Sequence, residues 1–222
     1  EAAPPKLLRE LSEEIIKKNI KIRWWGNIRF EKNFTKELCE LMAKAGCIAV
    51  SGGLEVLSDR LLHLMHKGVT IQQAAQVTHH FQQAGIMVHA YLMYGFPTQT
   101  AQETIDALEI TRQFFKHNLI QSAFWHRFTL TTHSAIAHKP NQYNIKITNT
   151  NNNNFANNDL QHIDELGCNH EQYSEGLRKA LYNFMHQNAL DFPLQNWFKT
   201  TIPVSTIPSN FIQQILNTTP QP

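Results

Sequence analysis

The chain has 222 residues, 42% of them hydrophobic, and a formal net charge of +2. That length accommodates one or two domains. The near-balance of 20 Lys and Arg against 18 Asp and Glu gives no basic surface for nucleic acid, and no apolar run approaches the ~18 residues needed to cross a bilayer. The N-terminus has no leader pattern, and three cysteines without framework spacing read as reduced thiols in a cytoplasmic setting.

Taken in chain order, Pro5 to Lys18 predicts an amphipathic helix with Leu7, Leu8, Leu11, Ile15 and Ile16 on one face, started by Pro4 and Pro5. Ile20 to Trp25 reads as a strand. Asn33 or Thr35 then opens a helix that buries Phe34, Leu38, Leu41 and Met42 and stops at Gly46. Cys47 to Val50 is the next strand, followed by a short helix from Ser58 to His66. Thr70 with Gln73, and Thr100 with Glu103, have capping-box spacing and start two further helices. Between them lies the strand Ile86 to Met93, and Ile120 to Leu130 completes the series. Strands alternating with helices across short loops predict parallel βαβ units.

The composition then changes. Residues 139–160 include the tract Thr148-Asn-Thr-Asn-Asn-Asn-Asn154, which is too polar to bury and is expected to be a loop or disordered. Residues 161–222 predict a helical extension, led by an amphipathic helix between Glu171 and Leu190.

Two strand ends carry chemistry. The run Cys47-Ile-Ala-Val-Ser-Gly-Gly-Leu-Glu55 leads from a buried strand to a glycine pair and a carboxylate. Gly52 and Gly53 permit unusual backbone geometry and a close approach by a ligand, and Glu55 offers two acceptor oxygens suited to a diol. The next strand ends in Tyr94-Gly-Phe-Pro-Thr-Gln-Thr100, where Gly95 and Phe96 form a turn. Taken locally, each also reads as ordinary packing: a turn, a helix cap or a solvated acid.

Taken together, Gly-Leu-Glu, then Ser-Asp-Arg-Leu-Leu-His-Leu-Met-His-Lys-Gly-Val-Thr, then Ala-Gly-Ile, then Tyr-Gly-Phe-Pro-Thr-Gln-Thr resemble the radical S-adenosylmethionine (SAM) superfamily. The likeness is to its Fe-S oxidoreductase branch, which is often fused to a cobalamin-binding domain, and it runs from about Glu1 to about Phe128. It implies an α/β fold: a partial (β/α) barrel of about four parallel strands with flanking helices over residues 1–138, followed by the C-terminal helical extension. It further implies that Glu55 holds the ribose of SAM, that Lys67 lies near the cofactor, and that Gly52, Gly53, Gly95 and Phe96 line its site. Arg29, Trp125 and Arg127 become candidate substrate contacts. Catalytic residues are not assigned.

The same superfamily carries a Cys-x3-Cys-x2-Cys loop that holds a [4Fe-4S] cluster. Here Cys39, Cys47 and Cys168 are too scattered to form one, and no metal site is expected among these residues. The chain is therefore expected to be the C-terminal part of a longer enzyme, inactive alone, whose partner is the upstream half of the same polypeptide. The resemblance implies that the parent cleaves SAM reductively with the cluster to start radical chemistry on an unknown substrate, and it allows cobalamin as a further cofactor. Two rivals stay open at this point: a non-catalytic scaffold derived from the barrel, and an unrelated barrel hydrolase or aldolase.

Overall fold

The computed structural model describes residues 2–148 and 158–218. Most of the Asn-rich tract, residues 149–157, lies outside the described residues. Strands β1 (Trp24–Ile28), β2 (Cys47–Glu55), β3 (Met87–Tyr94) and β4 (Ser122–Arg127) form one parallel sheet in the order β1-β2-β3-β4. Helix α1 (Pro5–Lys17) precedes β1, and α2 (Lys36–Lys44), α3 (Asp59–Leu64) with α4 (Ile71–Gln83), and α5 (Ala101–Lys116) fill the crossovers. Because each strand is added on the same side of the last, right-handed crossovers place the helices on one face. The sheet does not close: β1 and β4 are its two edges, as in a slice of a barrel.

Alternation along the strands fixes the core. Ile28, Val50, Leu54, Val88, Ala90, Leu92, Ala123 and Trp125 point to the helix side and are buried there with Leu38, Met42, Val77, Phe81, Ile105 and Leu108. Each such large side chain contributes about 1.5–3 kcal/mol through burial. Residues of the opposite parity, including Trp25, Met87, Tyr91 and Phe124, are exposed. Three of the five residues of the apolar stripe on α1 are also bare: Leu8 and Ile15 are buried, whereas Leu7, Leu11 and Ile16 are exposed.

Two boundaries move from their sequence expectations. The first strand starts at Trp24, not Ile20, because Ile20 still donates its N–H to the Ile15 carbonyl at the helix end (3.0 Å). Gly46 lets the incoming chain pass, since a Cβ there would sit 2.1 Å from the Ile22 carbonyl oxygen. The second strand continues through the glycine pair to Glu55.

The helix starts follow the sequence more closely. Thr35, Ser58, Thr70 and Thr100 each accept an N–H from the third residue of their helix. Thr100 and Glu103 form the reciprocal box, but Gln73 donates its side-chain amide to the Phe30 carbonyl instead (2.7 Å), so Thr70 caps alone.

After β4 come a short helix α6 (Ala135–His138), an antiparallel pair β5 (Ile145–Ile147) and β6 (His162–Asp164), and helices α7 (Ser174–Met185) and α8 (Phe211–Asn217). Helix α7 packs on α5 and β4, and α8 packs against α4 and α5. A strap before α8 is held to α5 by polar contacts. Asp106 accepts from the Ser205 hydroxyl (2.8 Å) and from the Thr206 N–H (2.8 Å) and hydroxyl (2.7 Å). The buried Gln113 donates to the Pro208 carbonyl (2.8 Å) and accepts the Ile212 N–H (3.0 Å).

One polar bracket ties the tips of β2 and β3 together. Arg60 donates to Glu103 through Nε (2.9 Å) and Nη2 (2.7 Å), and also to the Thr98 hydroxyl (3.0 Å) and carbonyl (2.9 Å). Ser58 donates to the same carboxylate (2.9 Å). Burial pushes the Glu103 carboxyl up, but hydrogen bonds from Arg60, the Thr100 N–H and Ser58 outweigh it and leave the group below its ordinary 4.5. A carboxyl depressed in the folded state stabilises fully above its unfolded pKa, and loses that contribution as pH falls through the folded one. Glu103→Gln should therefore cost about 1.5–3 kcal/mol at pH 7 in urea denaturation, the range for charge-assisted hydrogen bonds. The gap from wild type should narrow below pH 4.5; a gap constant with pH would refute the ionic role.

Candidate functional site

The parallel pairing puts the tips of β2 and β3 side by side at the C-terminal end of the sheet, where α/β folds bind ligands. Glu55 ends β2 with φ 55, in the left-handed region. A non-glycine residue there costs on the order of 1 kcal/mol or more and calls for a reason. The turn sends the carboxylate back over Gly53, where a Cβ would lie only 2.2 Å from Glu55 Oε1. Lys67 Nζ donates to that oxygen at 2.8 Å, and the Arg29 guanidinium donates to the Lys67 carbonyl. Leu57 and His66 nearby are also left-handed, at φ 44 and 53.

These groups line a cleft of about 340 Å³ whose other walls include Leu54, Met65 and Val69. The structure thus brings together Arg29, Gly53, Glu55 and Lys67: two cations and one acid at the mouth of an apolar hollow. Such a hollow suits a ligand with an uncharged body and polar groups at one end.

The other sequence candidates lie elsewhere. Gly52 points to the helix side, where a Cβ would meet the Phe30 ring at 2.7 Å. It and Gly53 have no positive φ, so the pair exists to make room for Phe30 and for the Glu55 side chain, not for a special turn. Gly95 does need its freedom, at φ 80, but its N–H and that of Phe96 are both taken by Gln99 Oε1 (2.7 and 3.2 Å). Phe96 does not wall an open site: it is enclosed, with Phe128 and Tyr143 rings 5.2 and 6.2 Å away.

Trp125 also departs from expectation. It points to the helix side and is buried, so it does not reach the open face. Arg127 pairs with Glu171 and, with Gly95, His162, Asp164, Cys168 and His170, lines a second cavity of about 220 Å³. The tips are neighbours, yet they open onto two different hollows.

Sequence reasoning did not bring together the residues on the uncovered face. His89, Tyr91, Phe124 and His126 lie there with ring centroids 4.6 to 6.0 Å apart in successive pairs. The signal was available: period-two alternation pairs Trp125 with the buried side, so Phe124 and His126 must face the other way. Burial and the neighbouring His126 hold His89 below its ordinary imidazole range, which favours the neutral ring.

None of the cysteines suits a cluster, which is held by grouped thiolates. Burial pushes the Cys39 and Cys47 thiols up to about 12, and Cys168 up to about 11. Cys168 lies in the second cavity with His170 Nδ1 at 3.6 Å.

Comparison with known proteins agrees with this architecture. The model of the Radical SAM superfamily matches residues 5–110, a segment that contains β1 to β3, the Glu55 cleft and most of α5. An uncharacterized methyltransferase, PH0819 of Pyrococcus horikoshii, is 28% identical over 123 residues, covering 55% of this chain and 25% of that protein. The anaerobic magnesium-protoporphyrin IX monomethyl ester cyclase of Rubrivivax gelatinosus is 29% identical over 106 residues, covering 47% of this chain and 19% of that protein. The bacteriochlorophyllide d C-12(1)-methyltransferase of Chlorobaculum tepidum is 28% identical over 118 residues, covering 53% of this chain and 25% of that protein.

Among solved structures, the radical SAM methyltransferase TsrM of Kitasatospora setae, with cobalamin and a [4Fe-4S] cluster bound, shares the fold. The TM-score is 0.56 at 14% identity, over 81% of this chain and 40% of that chain. Residues 5–110, just under half of the chain, are thus similar to the radical SAM superfamily. The chain spans a quarter or less of the length of these curated relatives.

The thiols give a direct check of the site chemistry. With Cys39 and Cys47 buried and protonated, a water-soluble maleimide at pH 7.5 should leave both unmodified in the native protein and label them on unfolding in urea. Rapid native labelling of either, read by mass spectrometry, would contradict their placement.

Proposed function

We propose that this chain forms the cofactor-cradling and substrate-facing part of a radical SAM enzyme, and that the cluster belongs to an upstream portion of the same polypeptide. One observation carries the reading. Within the family-matched segment, a strand tip is strained into the left-handed region and aims a carboxylate into an apolar cleft flanked by Lys67 and Arg29. SAM fits this donor set. Its ribose hydroxyls would donate to Glu55, the face of its adenine would lie against Met65 and Val69, and its carboxylate would draw on Lys67 or Arg29. When bound beside a reduced cluster, SAM supplies a reactive carbon radical. The chain's own task is to orient it and keep water away.

The upstream portion has a place to dock. The free edge of β1 and the bare stripe of Leu7, Leu11 and Ile16 on α1, the helix that precedes that strand, are both left uncovered among the described residues. Their apolar content supports a further strand-and-helix layer there. We assign methyl transfer or cyclisation as the reaction, in line with the names of the relatives, and cobalamin as a cofactor of the whole enzyme, in line with the structure of TsrM. Alone, the chain is inactive, because its thiols cannot assemble the cluster. We place the enzyme in the cytoplasm; among the described residues no helix is long and apolar enough to cross a membrane.

Calorimetric titration of the chain with SAM tests the cleft. Saturable binding is expected, and Glu55→Gln should weaken it tenfold or more, since a charge-assisted hydrogen bond is worth about 1.5–3 kcal/mol. Unchanged affinity in Glu55→Gln would remove the assignment. Under strong reductant the chain alone should not cleave SAM, whereas the same chain joined to its upstream portion, with the cluster reconstituted, should do so.

A further inference from the structure

We infer that the uncovered sheet face seats a planar aromatic substrate, held against Tyr91, Phe124 and His126 beside the Glu55 cleft. The inference rests on the reading of that cleft as the cofactor site and adds the chemical class of what lies next to it. Strand register sets out the surface in layers. Tyr91 pairs with Gly53 on one side and with Phe124 on the other, so one row crosses from β2 to β4. Its β2 position carries no side chain of its own and is covered by the Glu55 carboxylate. Read across, the row is carboxylate, phenol, phenyl, with the His126 imidazole one layer nearer the strand tips, opposite Met93.

The rings form a continuous but corrugated aromatic surface, linked through His126 and each tilted against the next. Phe124 and His126 have centroids 4.6 Å apart at 58°, Tyr91 and His126 6.0 Å apart at 50°, and His89 and Tyr91 5.1 Å apart at 81°. Phe124 is 56% exposed and Tyr91 40% exposed, a large aromatic area left bare beside a polar cleft.

The composition below the shelf argues against simple barrel filling. Closed barrels fill their interiors with layers of branched aliphatic side chains. Here the row beneath Tyr91 reads Asn27, Ser51, His89 and Ser122 across all four strands. His89 Nδ1 and the Ser122 hydroxyl are 2.7 Å apart, joining that row laterally. A layer of aliphatic side chains from another segment would leave the Asn27 and Ser51 side chains and the second His89 ring nitrogen with nothing polar to meet, at a cost. A flat ligand avoids that cost: its faces meet the aromatic surface, and its polar edge meets His89 and His126. Stacking on such a shelf is tolerant of ring identity but demands planarity.

The test uses two acids of matched skeleton and charge, 2-naphthoate and decahydro-2-naphthoate, titrated calorimetrically into the 222-residue chain. The planar acid should bind at least about tenfold more tightly, and Phe124→Ala or Tyr91→Ala should each weaken it about tenfold, as expected for loss of one stacking partner. Both side chains are exposed, so the variants should keep the wild-type thermal transition. SAM affinity should survive Phe124→Ala, and naphthoate binding should survive Glu55→Gln, so the two sites fail separately. Equal affinity for the two acids would overturn the proposal. So would naphthoate binding unchanged in both aromatic variants.

Discussion

The arrangement rests on one-sided coverage of a parallel sheet. Parallel strands need long crossovers, and when each strand is added beside the last, every crossover helix falls on the same face. That face is buried completely and contributes the cohesion. The other face receives no helix from the described residues, so its side chains are released from core packing. Polar and aromatic residues can then occupy positions that would otherwise demand valine or leucine. The extension after β4 reinforces the asymmetry, because α7 and α8 add to the helix layer and not to the bare side.

Glu55 shows how far the fold departs from stability alone. Its left-handed backbone costs on the order of 1–3 kcal/mol. The ion pair with Lys67 is partly exposed, with side-chain accessibilities of 38% and 17%, and such pairs return about 0–1 kcal/mol. A glycine at this turn would avoid the strain and lose little. The residue is therefore better explained by what its carboxylate faces than by what it stabilises. The lysine holds that carboxylate aimed across Gly53, where a ligand hydroxyl can share it.

Much of this was legible in the sequence, and the exceptions have physical causes. Alternation and caps located the four strands and the helices between them, because period-two and period-3.6 patterns report local geometry directly. The order of motifs pointed to the same family whose model matches residues 5–110. Gly52 was misread because a glycine required by a neighbouring ring looks, in one dimension, like a glycine required by a turn; only the Phe30 contact separates them. Phe96 was misread for a similar reason, since its covering side chains, Phe128 and Tyr143, come from later in the chain. Trp125 was an error of parity. The exposed part of the α1 stripe was hidden because periodicity identifies an apolar face without saying what meets it.

The extension also decides which tip stays open. Asp164, at the end of β6, accepts the Thr98 N–H at 2.7 Å through one oxygen, and the N–H groups of Leu166 (3.1 Å) and Gly167 (2.9 Å) through the other. It thereby pins the loop after β6 onto the turn that follows β3. His170 approaches Gly95 from that loop, and Arg127 at the end of β4 pairs with Glu171 next to it. The tips of β3 and β4 are thus roofed by the chain itself, and the hollow left between them is the smaller of the two. The tips of β1 and β2 have no comparable roof among the described residues. A ligand reaching the C-terminal end of the sheet meets an internal polar lock on one side and the Glu55 cleft on the other. Access, as much as chemistry, directs it to Glu55.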